Sequence, residues 1–326
     1  MEGGAITVPD PSTPAKPSHF ALVLRLGRIY KKRFLPNHMS FAPFKLSPLI
    51  LTIFGGMILA IPTHSARADE HLFGWVRGAE TLPHGHADAY QFITIREGKR
   101  AGTYNGWDFS TEVEYGVTDK FQVGVAVEQH YFRIRDVEEL DNMNQYRFGG
   151  FELSAKYRLL SPFKDKIGLA ARLETAYLAY DDVAGIEQEE IDLQPEIILH
   201  KNFLDDTLIF HVNVGVKFAW GKKPAEEYDY EFTAMGGAGV AYRFAPNWFF
   251  GVEGHWRSEY PEFDLGFHEH TAVFVGPSLH YGAEKWWATA SYGYQIYGEG
   301  IDEPDNGKTF AEEARNEFRI KVGFNF

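Results

Sequence analysis

From Ala87 to the C-terminus, apolar and polar residues alternate in runs separated by turn-forming residues. The clearest run is the last, Ala314 to Phe326 (ARNEFRIKVGFNF), where Phe318, Ile320, Val322, Phe324 and Phe326 take every second place. Glu317, Arg319, Lys321, Gly323 and Asn325 stand between them. A period of two is that of a β-strand with one apolar and one polar face. Twelve segments show it, at about 87–97, 105–117, 120–135, 145–160, 166–181, 189–202, 207–220, 227–244, 247–260, 269–282, 286–298 and 314–326.

The connections alternate in length. Short turns lie at VTDK (117–120), SPFKDK (161–166), LDDT (204–207), APN (245–247) and GAEK (282–285), with turn chemistry supplied by Asp, Asn, Pro and Gly. Longer, mostly acidic loops lie at 98–106, 135–144, 181–190, 221–230, 260–268 and 298–313. Short turns on one side and long loops on the other predict an all-β fold, a transmembrane up-and-down antiparallel β-barrel of about twelve strands. Strands of ~10 residues rising ~3.3 Å each and tilted by ~40° give ~25 Å of height, which fits the apolar band of a membrane. An even strand number leaves both barrel ends on the short-turn side. HLFGWVRGAE (71–80) would break that parity, so residues 69–86 are expected to form an N-terminal arm tucked into the lumen or rim, ahead of a barrel at 87–326.

Upstream, LSPLILTIFGGMILAI (46–61) is the one sustained apolar run, preceded by Lys45 and followed by Ala66-Arg67-Ala68. This is the order of a secretory signal peptide cleaved after Ala68, and the run is short for a membrane-spanning helix. Residues 1–38 are Pro-rich and basic, and Met39 would begin a signal of ordinary length. Residues 1–68, extension and signal, are therefore set apart from the fold. Their removal takes away 8 of the 32 Lys+Arg and 2 of the 45 Asp+Glu, leaving 24 against 43, a net charge of −19. Such a balance argues against nucleic acid as a partner. It suits acidic loops that share divalent cations with lipopolysaccharide, on a barrel in the outer membrane of a Gram-negative bacterium.

The 17 Tyr, 27 Phe and 7 Trp suit aromatic girdles at two interfaces. Phe121, Phe163, Phe203, Phe244, Trp248, Trp286, Trp287 and Phe326 fall beside short turns; Tyr131, Tyr177, Trp220, Tyr230, Trp256, Tyr260, Tyr294 and Tyr297 fall near long loops. The absence of Cys removes disulfides, Cys-based zinc sites and thiol catalysis.

Alternation assigns the lumen a set of mixed charge: Glu112, Glu114, Glu128, Glu152, Lys156, Arg158, Arg172, Glu174, Glu196, Lys217, Glu253, His255, Arg257, Glu259, His270, His280, Arg319 and Lys321. Such charges must pair or keep water, so the lumen is either a narrow polar path or a salt-bridged plug. No cofactor is expected. His268 and His270 are weak candidates for a metal, and HGH (84–86) a weaker one. If 247–260 and 269–282 form a hairpin, residues summing to about 529 face each other. Glu259 then lies opposite His270, which predicts an ion pair at the lumen mouth in preference to a metal centre. The loop 302–313 places Asp302, Asn306, Gly307 and Glu313 at EF-hand positions, but Pro304 replaces a ligand. For catalysis, Ser278 and His280 share a face and Glu253 could lie nearby, but no nucleophile elbow or phosphate loop is present. An enzyme is not expected. The favoured function is porin-like passage of small polar solutes; a plugged structural or envelope-interaction barrel is the alternative, and an outer-membrane hydrolase comes third.

The stretches DEHLFGWVRGAETLP, AYQF, YRLLSPFKDK, KNFLDDTLIF, WGKKPAEEY, YRFAPNWFFGVEGHWRSEYPEFDLGFHEHT, VGPSLHY and RIKVGFNF resemble those of an uncharacterised proteobacterial family of outer-membrane β-barrel proteins, a domain of unknown function. The resemblance covers residues 69–326 and brings no catalytic or binding residues with it. The terminal strand ending on Phe326 also resembles the C-terminal signal read by the outer-membrane barrel assembly machinery, which implies that machinery as a partner.

Overall fold

The computed structural model describes residues 71–223, 228–301 and 307–326. The segment assigned to the extension and signal lies outside the described residues. Twelve strands follow in sequence: β1 (Ala87–Glu97), β2 (Thr103–Thr118), β3 (Phe121–Arg135), β4 (Met143–Leu160), β5 (Gly168–Tyr180), β6 (Glu187–Phe203), β7 (Leu208–Lys222), β8 (Tyr228–Ala245), β9 (Trp248–Pro261), β10 (His270–Gly282), β11 (Trp286–Gly300) and β12 (Asn316–Asn325). Each pairs antiparallel with the next, and β12 pairs with β1, so the sheet is a closed up-and-down barrel. The last residue helps to close it: Phe326 N–H donates to Ala87 O at 2.8 Å and Ala87 N–H to Phe326 O at 3.1 Å.

Closure leaves no sheet edge, and the period of two sends alternate side chains to opposite sides. The outer wall exposes Val125, Leu153, Ile191, Val214, Phe250 and Val252 to the surroundings. The inner wall buries Glu112, Lys156, Arg172, Glu196 and Lys321. No helix among the described residues is long and apolar enough to cross a membrane. Phe163, Phe203, Phe244, Trp248 and Trp286 are exposed beside the short turns, and Tyr177, Trp220, Tyr230, Trp256, Tyr294 and Tyr297 toward the loops. Trp287 departs from the expected girdle. It is one residue out of phase with Trp286, so it points inward and is buried.

Candidate functional site in the barrel lumen

The lumen is occupied by the chain's own arm. Residues 71–82 are almost entirely buried, with Leu72, Phe73 and Ala79 fully so. The arm begins beside β11 and β1, where the His71 ring stacks on Trp287 at 4.2 Å and Thr289 Oγ1 donates to His71 O at 2.5 Å. It then rises to the level of His255, whose ring lies between Trp75 (4.6 Å) and Phe274 (4.9 Å). From there it crosses to β7 and descends past Ala170 and Ile198, which enclose Ala79. It leaves at the β2–β3 turn, where Leu82 N–H donates to Gln122 Oε1 at 2.8 Å and Thr81 Oγ1 to Asp119 O at 2.9 Å.

An extended peptide inside a barrel brings backbone amides that cannot reach water, and each needs an acceptor. The wall supplies them. Glu253 on β9 accepts from three consecutive amides, Gly74 at 2.7 Å, Trp75 at 2.9 Å and Val76 at 3.2 Å. Asn213 on β7 treats Arg77 as a strand neighbour would: its Oδ1 accepts from Arg77 N–H at 2.6 Å and its Nδ2 donates to Arg77 O at 2.9 Å. Arg319 donates to Gly74 O at 3.2 Å, and Glu80 of the arm is ion-paired with Arg158.

The wall is also shaped for the arm. A Cβ at Gly239 would stand 2.7 Å from Phe73 Cζ, and one at Gly251 2.9 Å from Phe73 Cε1. One at Gly237 would meet Val76 Cγ2 at 2.9 Å, and one on Gly74 of the arm would meet Ser291 Cβ at 2.7 Å. A side chain at Gly237 or Gly239 would therefore displace Val76 or Phe73 of the arm; at Gly251 it would also meet Ser278 Oγ and Val240 O of the wall at 2.8 Å. Leu72, Phe73 and Val76 join Ile209, Ala241 and Phe249 in one apolar cluster inside a polar barrel.

Above the arm the charges pair with each other and with loops folded into the mouth. Arg172 is paired with Glu152 at 3.2 Å and with Glu174; Lys217 with Glu231 at 2.9 Å. Arg257 binds Glu313 and, at 2.7 Å, Glu317, which also meets His255 Nε2 at 2.9 Å. Glu313 belongs to the β11–β12 loop. Burial opposes its ionisation, but the Arg257 guanidinium and His270 hold its carboxyl well below the usual range. Lys99, from the β1–β2 loop, donates to Ala311 O and Glu312 O at 2.8 Å each, and burial pulls its ammonium down to about 8.

The expected His270–Glu259 contact does not form, although the register that suggested it is present: His270 is opposite Glu259 and Phe274 opposite His255. His270 reaches Glu313 at 3.4 Å, a residue of a loop that strand pairing alone could not place. Glu259 stands opposite Thr233 of β8 on its other side. His268 and His270 are not brought together either, because His268 stands before the strand begins and bonds Thr271 Oγ1 at 2.7 Å. His84 of the HGH turn bonds Val117 O at 2.8 Å. Among the described residues no group of three metal-ligating side chains converges. Asp302, Pro304 and Asn306 lie outside the described residues. The Ser278, His280 and Glu253 trio is not assembled: His280 Nδ1 bonds Thr289 Oγ1 at 2.8 Å, Ser278 Oγ has no hydrogen bond among the described residues, and Glu253 holds the arm.

Of the remaining assigned lumen residues, Glu114 is buried, whereas Glu128 is only half-buried, at a bulge in the β3–β4 ladder. Gln122, Thr289 and the inward glycines are arm contacts that the alternation of the strands does not single out. The string of inward glycines in β8 and β9 was the signal that could have found them, since glycine within a strand marks close approach by another backbone or ligand.

The model of a family of unknown function (DUF6662) matches residues 65–326. No curated protein matches the chain. Among solved structures, the COG4313 outer membrane channel from Pseudomonas putida F1 is 12% identical, with a TM-score of 0.52, over 76% of this chain and 97% of that one. The beta domain of the Bordetella autotransporter Brka (12% identity, TM-score 0.48, 74% and 100% covered) and the KdgM porin (12%, 0.40, 73% and 99%) are more distant. The likeness to the channel shows a shared barrel fold.

Proposed function

We propose that this chain, which belongs to the DUF6662 family of unknown function, is a porin-like outer-membrane barrel that passes small polar solutes only when its N-terminal arm leaves the lumen. The observation that carries the proposal is the seating of the arm. Three consecutive amides rest on one carboxylate, and wall glycines leave room for Phe73. The arm is joined to the wall by polar bonds and by one small apolar cluster, with no strand pairing to the sheet. The number of those bonds also favours a second reading, a permanently plugged structural barrel.

In this proposal residues 1–68 are an extension and signal removed after Ala68, Phe326 is read by the barrel assembly machinery, and the acidic loops meet lipopolysaccharide through divalent cations. Single-channel conductance of the refolded barrel, with and without residues 69–86, tests the function. Silence with the arm and steady conductance without it is the expected result. Opening of the full-length barrel when Glu253→Gln weakens the arm's seat is expected of a removable arm; a full-length variant that stays silent while the shortened barrel conducts would select the permanently plugged structural barrel. N-terminal sequencing of the exported protein checks the cleavage site.

A further inference from the structure

The long-loop rim is not uniform. The β3–β4 loop turns its apolar residues inward, Val137 and Leu140 packing on Tyr104, Phe132 and Ile134. The β9–β10 loop, residues 262–269, does the reverse. Its Glu262 N–H donates to Tyr230 O at 2.5 Å, and the chain then turns through Glu262 (φ 54°) and Phe263 (φ 55°). Two successive left-handed residues with bulky side chains are sterically disfavoured. Their effect is to throw the Phe263 ring over the outside of the barrel, onto Phe218 (6.0 Å), Trp220 (5.8 Å) and Tyr230 (5.8 Å).

The rest of the loop is a compact turn. Asp264 N–H donates to Pro261 O at 2.9 Å, Gly266 N–H to Asp264 Oδ1 at 2.8 Å, and Phe267 N–H to Asp264 O at 2.9 Å. This turn presents Leu265, 67% exposed, and Phe267, 46% exposed, on the outside. Ile301, 56% exposed, stands beside them with its amide donating to Glu269 O at 3.0 Å.

We infer that Phe263, Leu265, Phe267 and Ile301 form a membrane-dipping rim, in which the β9–β10 loop inserts into the acyl–headgroup boundary of the leaflet on the long-loop side. Continuity identifies the occupant. Phe263 rests on Trp220 and Tyr230, rings of the girdle that ends the lipid-facing band, so the loop carries that band further in one sector. The alternation of Phe263, Leu265 and Phe267 with Glu262, Asp264 and His268 suits an interface where apolar tips meet acyl chains and polar groups meet headgroups.

The chain contains no Cys, so single cysteines carrying an environment-sensitive dye can be placed at Leu265→Cys and Phe267→Cys, with exposed Glu139→Cys as the water-facing control. The whole refolded barrel is studied in phospholipid vesicles. At positions 265 and 267 the emission is expected at shorter wavelength than at 139, quenched by spin-labelled lipid, resistant to aqueous iodide, and unchanged on dilution of protein into lipid. If iodide quenches both positions as readily as the control, the loop faces water and the inference fails. If the shielding fades on dilution, a second copy covers the patch and the assignment to lipid is overturned.

Discussion

Glu253→Gln is the sharpest perturbation of the arm. The wild-type carboxylate meets three amide donors at 2.7, 2.9 and 3.2 Å with no help from another side chain at those positions. Glutamine keeps one acceptor oxygen, loses the charge and turns an NH2 group toward donors. Hydrogen bonds to a charged group contribute ~1.5–3 kcal/mol each. Losing the Gly74 bond outright and the charge from the Trp75 and Val76 bonds, with the Asn213, Gln122 and Thr289 contacts kept, weakens the seat by ~3–6 kcal/mol. At ~1.4 kcal/mol per factor of ten, the ratio of arm-out to arm-in barrels rises ~10²–10⁴-fold. In planar bilayers the wild type should be silent, and E253Q should open to the conductance of the barrel lacking residues 69–86. In parallel, a thiol introduced by Ala79→Cys, buried in the arm against Ala170 and Ile198, should react faster with a membrane-impermeant reagent in the E253Q background. The reasoning is refuted if the variant barrel keeps its heat-dependent gel shift yet stays silent and protects that thiol as well as the barrel with Glu253 intact does. The arm would then be held by the packing of Phe73 and Val76 and by its other wall bonds, without need of Glu253.

Three further outcomes are expected. Gly239→Leu should unseat Phe73, since even its Cβ would lie 2.7 Å from that ring; a cost of ~1–3 kcal/mol should appear as faster proteolysis of the arm with the barrel intact. Val252→Arg and Ile320→Arg, on the outer wall, should impair folding into lipid by ~2–4 kcal/mol if near the midplane, measured by denaturant titration; equal tolerance at inward neighbours would contradict the register. Because Arg257 and His270 hold Glu313 below the usual carboxylate range against the effect of burial, its stabilisation is present above the ordinary value of about 4.3 and is lost as pH falls through its lowered folded value. Hydrogen exchange at Glu313, whose amide donates to Thr309 O, should therefore show extra opening only at acid pH, and Glu313→Gln should abolish that pH dependence.

The barrel was legible because one rule governs every strand. Lipid outside and polar groups inside impose a period of two wherever the chain crosses, and Asp, Asn, Pro and Gly punctuate it. Even the β9–β10 register followed from the hairpin, with Glu259 opposite His270. What failed was side-chain pairing across that register. His270 turns to Glu313 because the β11–β12 loop folds that carboxylate into the mouth. A ladder fixes which Cα atoms face each other; it does not fix where a long carboxylate ends. Trp287 failed for a simpler reason: two adjacent tryptophans in a strand cannot both face lipid. Proximity to a turn does not override the alternation that places Trp286 out and Trp287 in.

The arm is the harder case, and it shows where such reading ends. HLFGWVRGAE has no period of two or of 3.6, since its partners are spread around the barrel from β1 to β12 and successive stretches answer to different wall elements. Glu253 looks like any lumen acid because the groups it serves are backbone amides, which every residue carries alike. The mixed interior charge suggests a plug made of ion pairs, and several pairs do exist above the arm. At mid-depth, however, the acid has a peptide for its partner. The inward Gly237 and Gly239 are where the wall makes room for the peptide: an added Cβ there would meet Val76 Cγ2 at 2.9 Å and Phe73 Cζ at 2.7 Å, whereas at Gly124 the space is taken by the wall's own Ser154 and Glu112.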